Sequence, residues 1–394
     1  MRQTTLKTAV LLLLWSFGNK ALAQTAEPIN VVTTAVPFLR ISPDARAGGM
    51  GDVGIATTPD ANSAFWNLAK IPFAKSKTSI SATYTPWLRD LGLNDIYLAS
   101  LAGYHQLDDQ QAISASIRYF SLGNITFTDF AGNINGDFRP REFSIDFGYS
   151  RKLSDKLGLG VSLRYINSNL AGGGASQSGG VTYKAGNAVA GDVSLYSNNV
   201  SEATGGFAWG VAISNLGSKI AYTNDVNNKD YIPANLGIGA SYTKVFDEVN
   251  KIQFAVDINK LLVPTPPLPA DINDPNKESI DSANLAEYRG YGVLQSWFKS
   301  FSDGGNEFKE LMFGIGAEYS YNDQFMFRAG YFYEDKTKGN RKYFTLGAGL
   351  KYNVFGLNFS YLIPSGNGVN RNPLSNTLRF SLLFDLDKEN TGSK

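Results

Sequence analysis

From Lys77 onward the chain falls into stretches of about ten residues in which every second side chain is apolar, the period of a strand with one face in hydrocarbon. Leu157, Leu159, Val161, Leu163 and Tyr165 alternate with Gly158, Gly160, Ser162 and Arg164. Phe143, Ile145, Phe147 and Tyr149 alternate in the same way with Ser144, Asp146 and Gly148. The same form recurs at Ile113 to Tyr119, Phe207 to Ile213, Leu236 to Tyr242, Ile252 to Ile258, Leu311 to Tyr319, Phe325 to Tyr333, Phe344 to Tyr352, Phe355 to Tyr361 and Leu378 to Leu386. Lys77 to Tyr84, Asp95 to His105 and Val189 to Tyr196 complete a set of fourteen. The pattern predicts an all-β protein, a fourteen-stranded antiparallel transmembrane barrel.

Three features favour a barrel over a soluble sandwich. The second face of each strand is mostly Gly, Ser and Ala with an isolated charge, which suits a lumen better than a wetted surface. Aromatic side chains sit at strand ends, as Tyr84, Tyr104, Tyr149, Tyr165, Tyr242, Tyr319, Tyr333, Tyr352 and Tyr361, the level at which interfacial girdles lie. The connections also alternate in length. Short links such as Gln106 to Gln110, Leu153 to Asp155 and Asn353 to Val354 follow even-numbered strands. Long links such as Leu122 to Arg141, Leu216 to Pro233 and Lys260 to Lys309 follow odd-numbered ones. Short periplasmic turns and longer outer loops are the rule for such barrels, and the alternation predicts both chain ends on the periplasmic side.

Two regions escape the strand period. Residues 24–74, rich in Gly, Ala, Pro and Asp, precede the barrel segment 75–394 and are expected to form a plug in its lumen or a periplasmic shelf. Arg46, with Asp44 or Asp52, is expected to pair there with lumen charges such as Arg164 or Glu318, since buried charges need partners. The second region is the insertion 260–309, stiffened by Pro264, Pro266, Pro267, Pro269 and Pro275. Behind the prolines Val293, Leu294, Trp297, Phe298 and Phe301 fall on one helical face. That face is either an adhesive outer surface for a partner or a lid on its own barrel.

Composition narrows the chemistry. The 394 residues carry 36 Lys and Arg against 35 Asp and Glu, one His and no Cys. Binding to nucleic acid through phosphate neutralisation needs a clustered basic surplus, so no nucleic-acid partner is expected. Zinc-thiolate sites, disulfides and thiol nucleophiles all need cysteine. Arg2 and Lys7, the apolar stretch Ala9 to Phe17 and the small residues Ala21-Leu22-Ala23 read as an export signal cleaved after Ala23. Cleavage takes three of the basic side chains and no acid, so the exported chain has no anion-steering charge.

No motif predicts catalysis. Gly49-x-Gly51-x-x-Gly54 has the dinucleotide spacing, but Ser42 to Arg46 before it is turn-like and no long helix follows before Pro59. His105 is the one candidate base, at a strand end, and the sequence gives it no nucleophile or acid. Asp108-Asp109 reads as a turn former, Asp271 to Asp274 as a solvated loop without cation-loop spacing, and Gly172 to Gly174 as an outer loop. No catalytic, metal or cofactor site is therefore expected.

The run Ser42-Pro43-Asp44-Ala45-Arg46-Ala47-Gly48-Gly49-Met50-Gly51-Asp52-Val53-Gly54, followed by Ala61-Asn62-Ser63-Ala64-Phe65-Trp66-Asn67-Leu68-Ala69, resembles the opening of the PorV family, outer-membrane components of the type IX secretion system. The likeness, as signal, plug and strands, spans essentially the whole chain. Pro43, Asp44, Arg46, Gly48, Gly49, Met50, Gly51, Asp52 and Asn67 carry it. The chain is also similar to FadL-type barrels, whose Asn-Pro-Ala triplet stands here as Asn67-Leu68-Ala69 without its proline. The resemblance implies a non-enzymatic shuttle in the outer membrane. It would receive secreted cargo, through the cargo's C-terminal domain, at the SprA translocon and deliver it to an attachment complex containing PorU. The competing expectation is a FadL-type channel for hydrophobic small molecules, which requires a Phe- or Leu-lined pocket beside a kinked strand.

Overall fold

A computed structural model describes residues 28–89, 92–170, 177–178, 181–225, 228–303, 306–364 and 376–386. Residues 1–23, expected to be an export signal, and Gly172 to Gly174 lie outside the described residues.

Alternation closes into a ring. The strands are β1 Thr78–Pro86, β2 Ile96–Gln106, β3 Gln111–Leu122, β4 Arg141–Lys152, β5 Leu157–Asn169, β6 Gly186–Ser201 and β7 Gly205–Gly217. They continue as β8 Asn235–Val245, β9 Asn250–Leu261, β10 Met312–Tyr321, β11 Phe325–Tyr333, β12 Lys342–Tyr352, β13 Phe355–Pro364 and β14 Leu378–Leu386. Each pairs antiparallel with its chain neighbour, and β1 pairs with β14 from Thr78 opposite Leu386 to Tyr84 opposite Phe380, which leaves no edge. Closure satisfies the ladder of a strand that has no water to bond to. Among the described residues no helix is long and apolar enough to span a bilayer.

Side chains sort as the period requires. On β5 Leu163 is 70% exposed while its neighbour Arg164 is 3% exposed, because one faces outward and the other the lumen. Tyr84, Tyr149, Tyr165, Tyr242 and Tyr352 are exposed at strand ends. Tyr104 is not in the girdle: its parity on β2 turns it inward, where it is buried and its hydroxyl donates to the Ser76 carbonyl at 3.0 Å. The predicted alternation of links holds, and the loop after β3 adds a small hairpin, Ile125–Thr128 with Ile134–Phe138, that the sequence pattern did not show.

Residues 28–74 pass through the lumen from one end to the other. At the long-loop end Asn30 N–H donates to Thr337 O at 3.0 Å and Ala35 N–H to Tyr231 O at 2.9 Å. At the short-turn end Gln106 Nε2 donates to the carbonyls of Ile71 and Ala74. The first described residues therefore sit among the long loops, whereas the last, Leu386, pairs with Thr78 at the short-turn end; the chain ends themselves, expected on the short-turn side, lie outside the described residues. Between the ends lie two short helices, α1 Ala45–Gly49 and α2 Ser63–Trp66, and 3-10 turns at Pro37–Arg40 and Leu68–Phe73. The insertion between β9 and β10 forms α3 Lys277–Gly290 and α4 Val293–Lys299, at the long-loop end beside Lys219 and Tyr231. Only α4 was visible in the sequence as a helix.

Candidate functional site

The plug is held by polar contacts that its own sequence sets up locally and the wall completes. Asp44 caps α1, its Oδ1 accepting from Ala47 N–H at 2.8 Å and its Oδ2 from Trp66 Nε1 at 2.8 Å. Pro43 before it is buried and fixes the chain's entry into the helix. One residue into α1, Arg46 reaches the wall. Its Nε and one terminal nitrogen meet Glu318 on β10 at 3.0 and 2.9 Å, and its other terminal nitrogen meets Asp60 at 3.0 Å. Glu318 is also held at 2.6 Å by Arg328 on β11. A two-point guanidinium–carboxylate contact fixes orientation as well as position.

The Gly-Met-Gly turn sets the plug against the same wall sector, on β10, β11 and β12. Gly51 has φ +74°, a left-handed conformation that favours glycine, and its N–H donates to Thr345 Oγ1 at 2.8 Å. A Cβ added to Gly330 on β11 would lie 2.1 Å from the Met50 carbonyl carbon, so plug and wall backbones touch there. Gly49 meets the Gly347 backbone and Gly48 the Arg379 side chain. Met50 is fully buried against Val53 and Ala255. Asp52 accepts from Tyr343 Oη at 2.5 Å and faces Arg379 at 3.5 Å.

Asn67 ties the plug's two halves to the wall. Its Oδ1 accepts from Ala69 N–H at 3.0 Å, while Nδ2 donates to Ile55 O at 3.1 Å and to Leu195 O of β6 at 2.9 Å. Leu68, where FadL-type barrels have proline, is buried over Gly148 and Gly160 of the wall.

Of the expected lumen pairs, Arg46 with Glu318 forms and those with Arg164 do not. Arg164 is answered within the wall by Asp146 on β4 and Asp192 on β6, the latter at 2.8 Å, and by Asn215. Asp44 instead serves the plug's own helix, and Asp52 goes to Arg379. Sequence reading also passed over Asp257 on β9, which accepts from Gly54 N–H at 2.7 Å and Ile55 N–H at 2.9 Å. Its signal was available: Asp146, Asp192, Asp257, Glu318, Arg328 and Arg379 are charges at lumen-facing positions of otherwise small-residue strand faces.

In the insertion the apolar residues of α4 do not close over the barrel. Leu294, Phe298 and Phe301 are 65%, 77% and 49% exposed, while Val293 and Trp297 are half-buried. The inward side of the helix is Ser296 and Ser300, both fully buried. The insertion is anchored by Lys219 Nζ, which donates to the carbonyls of Arg289 at 2.8 Å and Tyr291 at 2.7 Å, and by Tyr231 Oη to Tyr288 O at 2.9 Å. Asp303, Glu307 and Glu310 cluster beneath it closely enough to hold a cation. Lys260 bridges Glu307 and Glu310 and Lys338 reaches Glu310, while Asp303 accepts from Thr265 N–H. Burial alone would raise Glu310, but the hydrogen bonds from both lysines outweigh it and hold the carboxyl below its usual range.

His105, the candidate base, faces Thr78 Oγ1 across the β1–β2 ladder at 2.8 Å. Thr78 is itself paired to Leu386 on its other side.

The lumen retains a cavity of about 110 Å³ in its outer half, lined among others by Arg40, Ser42, Asp52, Trp66, Arg164, Asn215, Met312, Phe332 and Arg341. Small-molecule pockets usually span about 300–1,000 Å³ and are mostly apolar. Here three guanidinium groups reach the lining.

A family model described as type IX secretion system protein PorV matches residues 23–268. The toluene transporter TbuX of Ralstonia pickettii is similar in fold, with TM-score 0.52 at 13% identity, covering 87% of this chain and 97% of that one. The Pseudomonas putida toluene transporter TodX aligns with TM-score 0.48 at 12% identity, covering 90% and 98%. No curated protein matches.

Proposed function

Because the chain belongs to the PorV family of the type IX secretion system, we propose that this outer-membrane barrel is a carrier of exported proteins and not a conduit for solutes. In this reading it takes up cargo by the C-terminal domain at the SprA translocon and passes it to the PorU-containing attachment complex. Docking would use the exposed row Leu294, Phe298 and Phe301, with Val293 and Trp297 bracing it from the half-buried side. The observation that carries the reading is the filled lumen. Arg46, Asp52, Asn67 and the Gly-Met-Gly turn pin residues 28–74 to β6 and to β10–β12, which narrows the room for solute, while Leu294, Phe298 and Phe301 of the insertion stay exposed. Large aromatic side chains in such a patch dominate binding energy.

The test is removal of the gene. Type IX cargo should then fail to reach the cell surface; normal surface display would refute the carrier role. A barrel carrying Leu294→Asp with Phe298→Asp should insert normally and lose cargo in pull-down.

One observation favours hydrocarbon uptake as a second reading. At the β6–β7 pairing the register shifts between Gly191 and Val193, where Asn215 takes φ +58° beside the cavity. A bulge of this kind can open a wall. The guanidinium groups of Arg40, Arg164 and Arg341 on the lining and the small volume oppose it, and unchanged toluene uptake after gene removal would eliminate it.

A further inference from the structure

The outer-half cavity has an uneven charge pattern. Arg341 holds Glu334 at two points, Nε to Oε2 at 2.7 Å and a terminal nitrogen to Oε1 at 3.0 Å. Arg40, on the plug, reaches the same carboxylate at only 3.6 Å. Its nearer contact is the Met312 sulfur at 3.1 Å, a weak acceptor. Two guanidinium groups thus share one carboxylate, of which the first already engages both oxygens. The other charges nearby are engaged: Arg164 by Asp146 and Asp192, Asp52 by Tyr343 and Arg379. Arg40 and Arg341 keep 21% and 26% of their side-chain surface open, whereas Glu334 keeps 6%. Independently, Ser42 on the same lining is 3% exposed and its hydroxyl has no hydrogen-bond partner.

A cation this enclosed gains most from an anion that brings its own acceptor oxygens. We infer that this cavity is a carboxylate-receiving pocket for the C-terminal end of a polypeptide entering from the long-loop side, with Arg40 as the principal anchor, Arg341 beside it and Ser42 as a further donor. About 110 Å³ is room for a carboxylate and roughly the last residue of a chain and too little for a whole passing segment. The identity of that polypeptide as exported cargo rests on the carrier reading above.

The experiment uses the full-length protein in detergent and a labelled decapeptide matching the end of a type IX cargo, as free acid and as C-terminal amide, with decanoate as competitor. The free acid should bind at least about tenfold more tightly than the amide. Arg40→Gln should bring the acid down to the amide's affinity, and Ser42→Ala should lower it less. Arg40→Gln leaves the Arg341–Glu334 contact in place, and heat-modifiable gel migration checks that the barrel is intact. Equal binding of acid and amide, or binding of neither, overturns the pocket. Decanoate competing as strongly as the acid overturns the polypeptide assignment. Surface display of cargo after gene removal tests the carrier role separately.

Discussion

Replacing Arg46 by alanine should loosen the plug without unfolding the barrel. The guanidinium makes a two-point contact with Glu318 at 3.0 and 2.9 Å and a further one with Asp60 at 3.0 Å, and the Arg46 and Glu318 side chains are each 12% exposed. Removing one partner of a buried pair costs about 3–5 kcal/mol. Glu318 keeps Arg328 at 2.6 Å, so the lower end, about 3 kcal/mol, is expected. The loss falls on the plug–wall contact, because none of the strand ladder passes through Arg46. At 1.4 kcal/mol per factor of ten, the released plug becomes about a hundredfold more populated. Planar-bilayer recording should then show intermittent conductance in Arg46→Ala that is rare in the parent. A double-mutant cycle with Glu318→Gln should give a coupling of about 2 kcal/mol. Unchanged conductance, or additive effects within about 0.5 kcal/mol, would refute the assignment of Arg46 as the plug's principal tether.

Gly330→Ala should displace the plug more severely, since its Cβ would sit 2.1 Å from the Met50 carbonyl carbon; overpacking of about 3 kcal/mol should read out as open-channel conductance with gel migration unaltered. Asn67→Ala strands the carbonyls of Ile55 and Leu195 that Nδ2 serves, and should cost about 1–3 kcal/mol, measured as easier proteolysis within residues 28–74. Ile29, 75% exposed at the long-loop end, should be labelled from outside intact cells as Ile29→Cys, whereas His105→Cys at the short-turn end should stay unlabelled; the reverse result would invert the barrel. Leu294→Asp, at a 65% exposed position, should shift barrel stability by less than about 0.5 kcal/mol while weakening cargo capture.

The wall was legible because a strand's facing is a local property. Leu157 to Tyr165 declares its two sides by period alone, and a short or long link declares which end of the barrel it serves. Tyr104 shows the limit: strand-end position suggested the girdle, but parity, which sends Leu98, Ser100, Ala102 and Tyr104 to one face, decided for the lumen. The helix α4 was legible from its apolar stripe, and its orientation was not. Whether Leu294 and Phe298 turn inward depends on what the underlying loops leave for them, and Ser296 and Ser300 took that side.

What the sequence determined by itself is the repeat: fourteen alternations, the order of short and long links, and the plug motif from Pro43 to Asp52. Tertiary structure alone decided the partners inside. Arg46 lies 272 positions from Glu318 and Tyr343 lies 291 from Asp52, and no local rule selects among the lumen charges that parity makes available. Closure does, because once β1 meets β14 each inward side chain has a fixed height and azimuth. A buried charge then takes whichever opposite charge the ring holds within reach. The same closure threads residues 28–74 from the long loops to the short turns, a direction that periodicity does not encode, since it reports which way a side chain faces and not which end of the ring a segment enters.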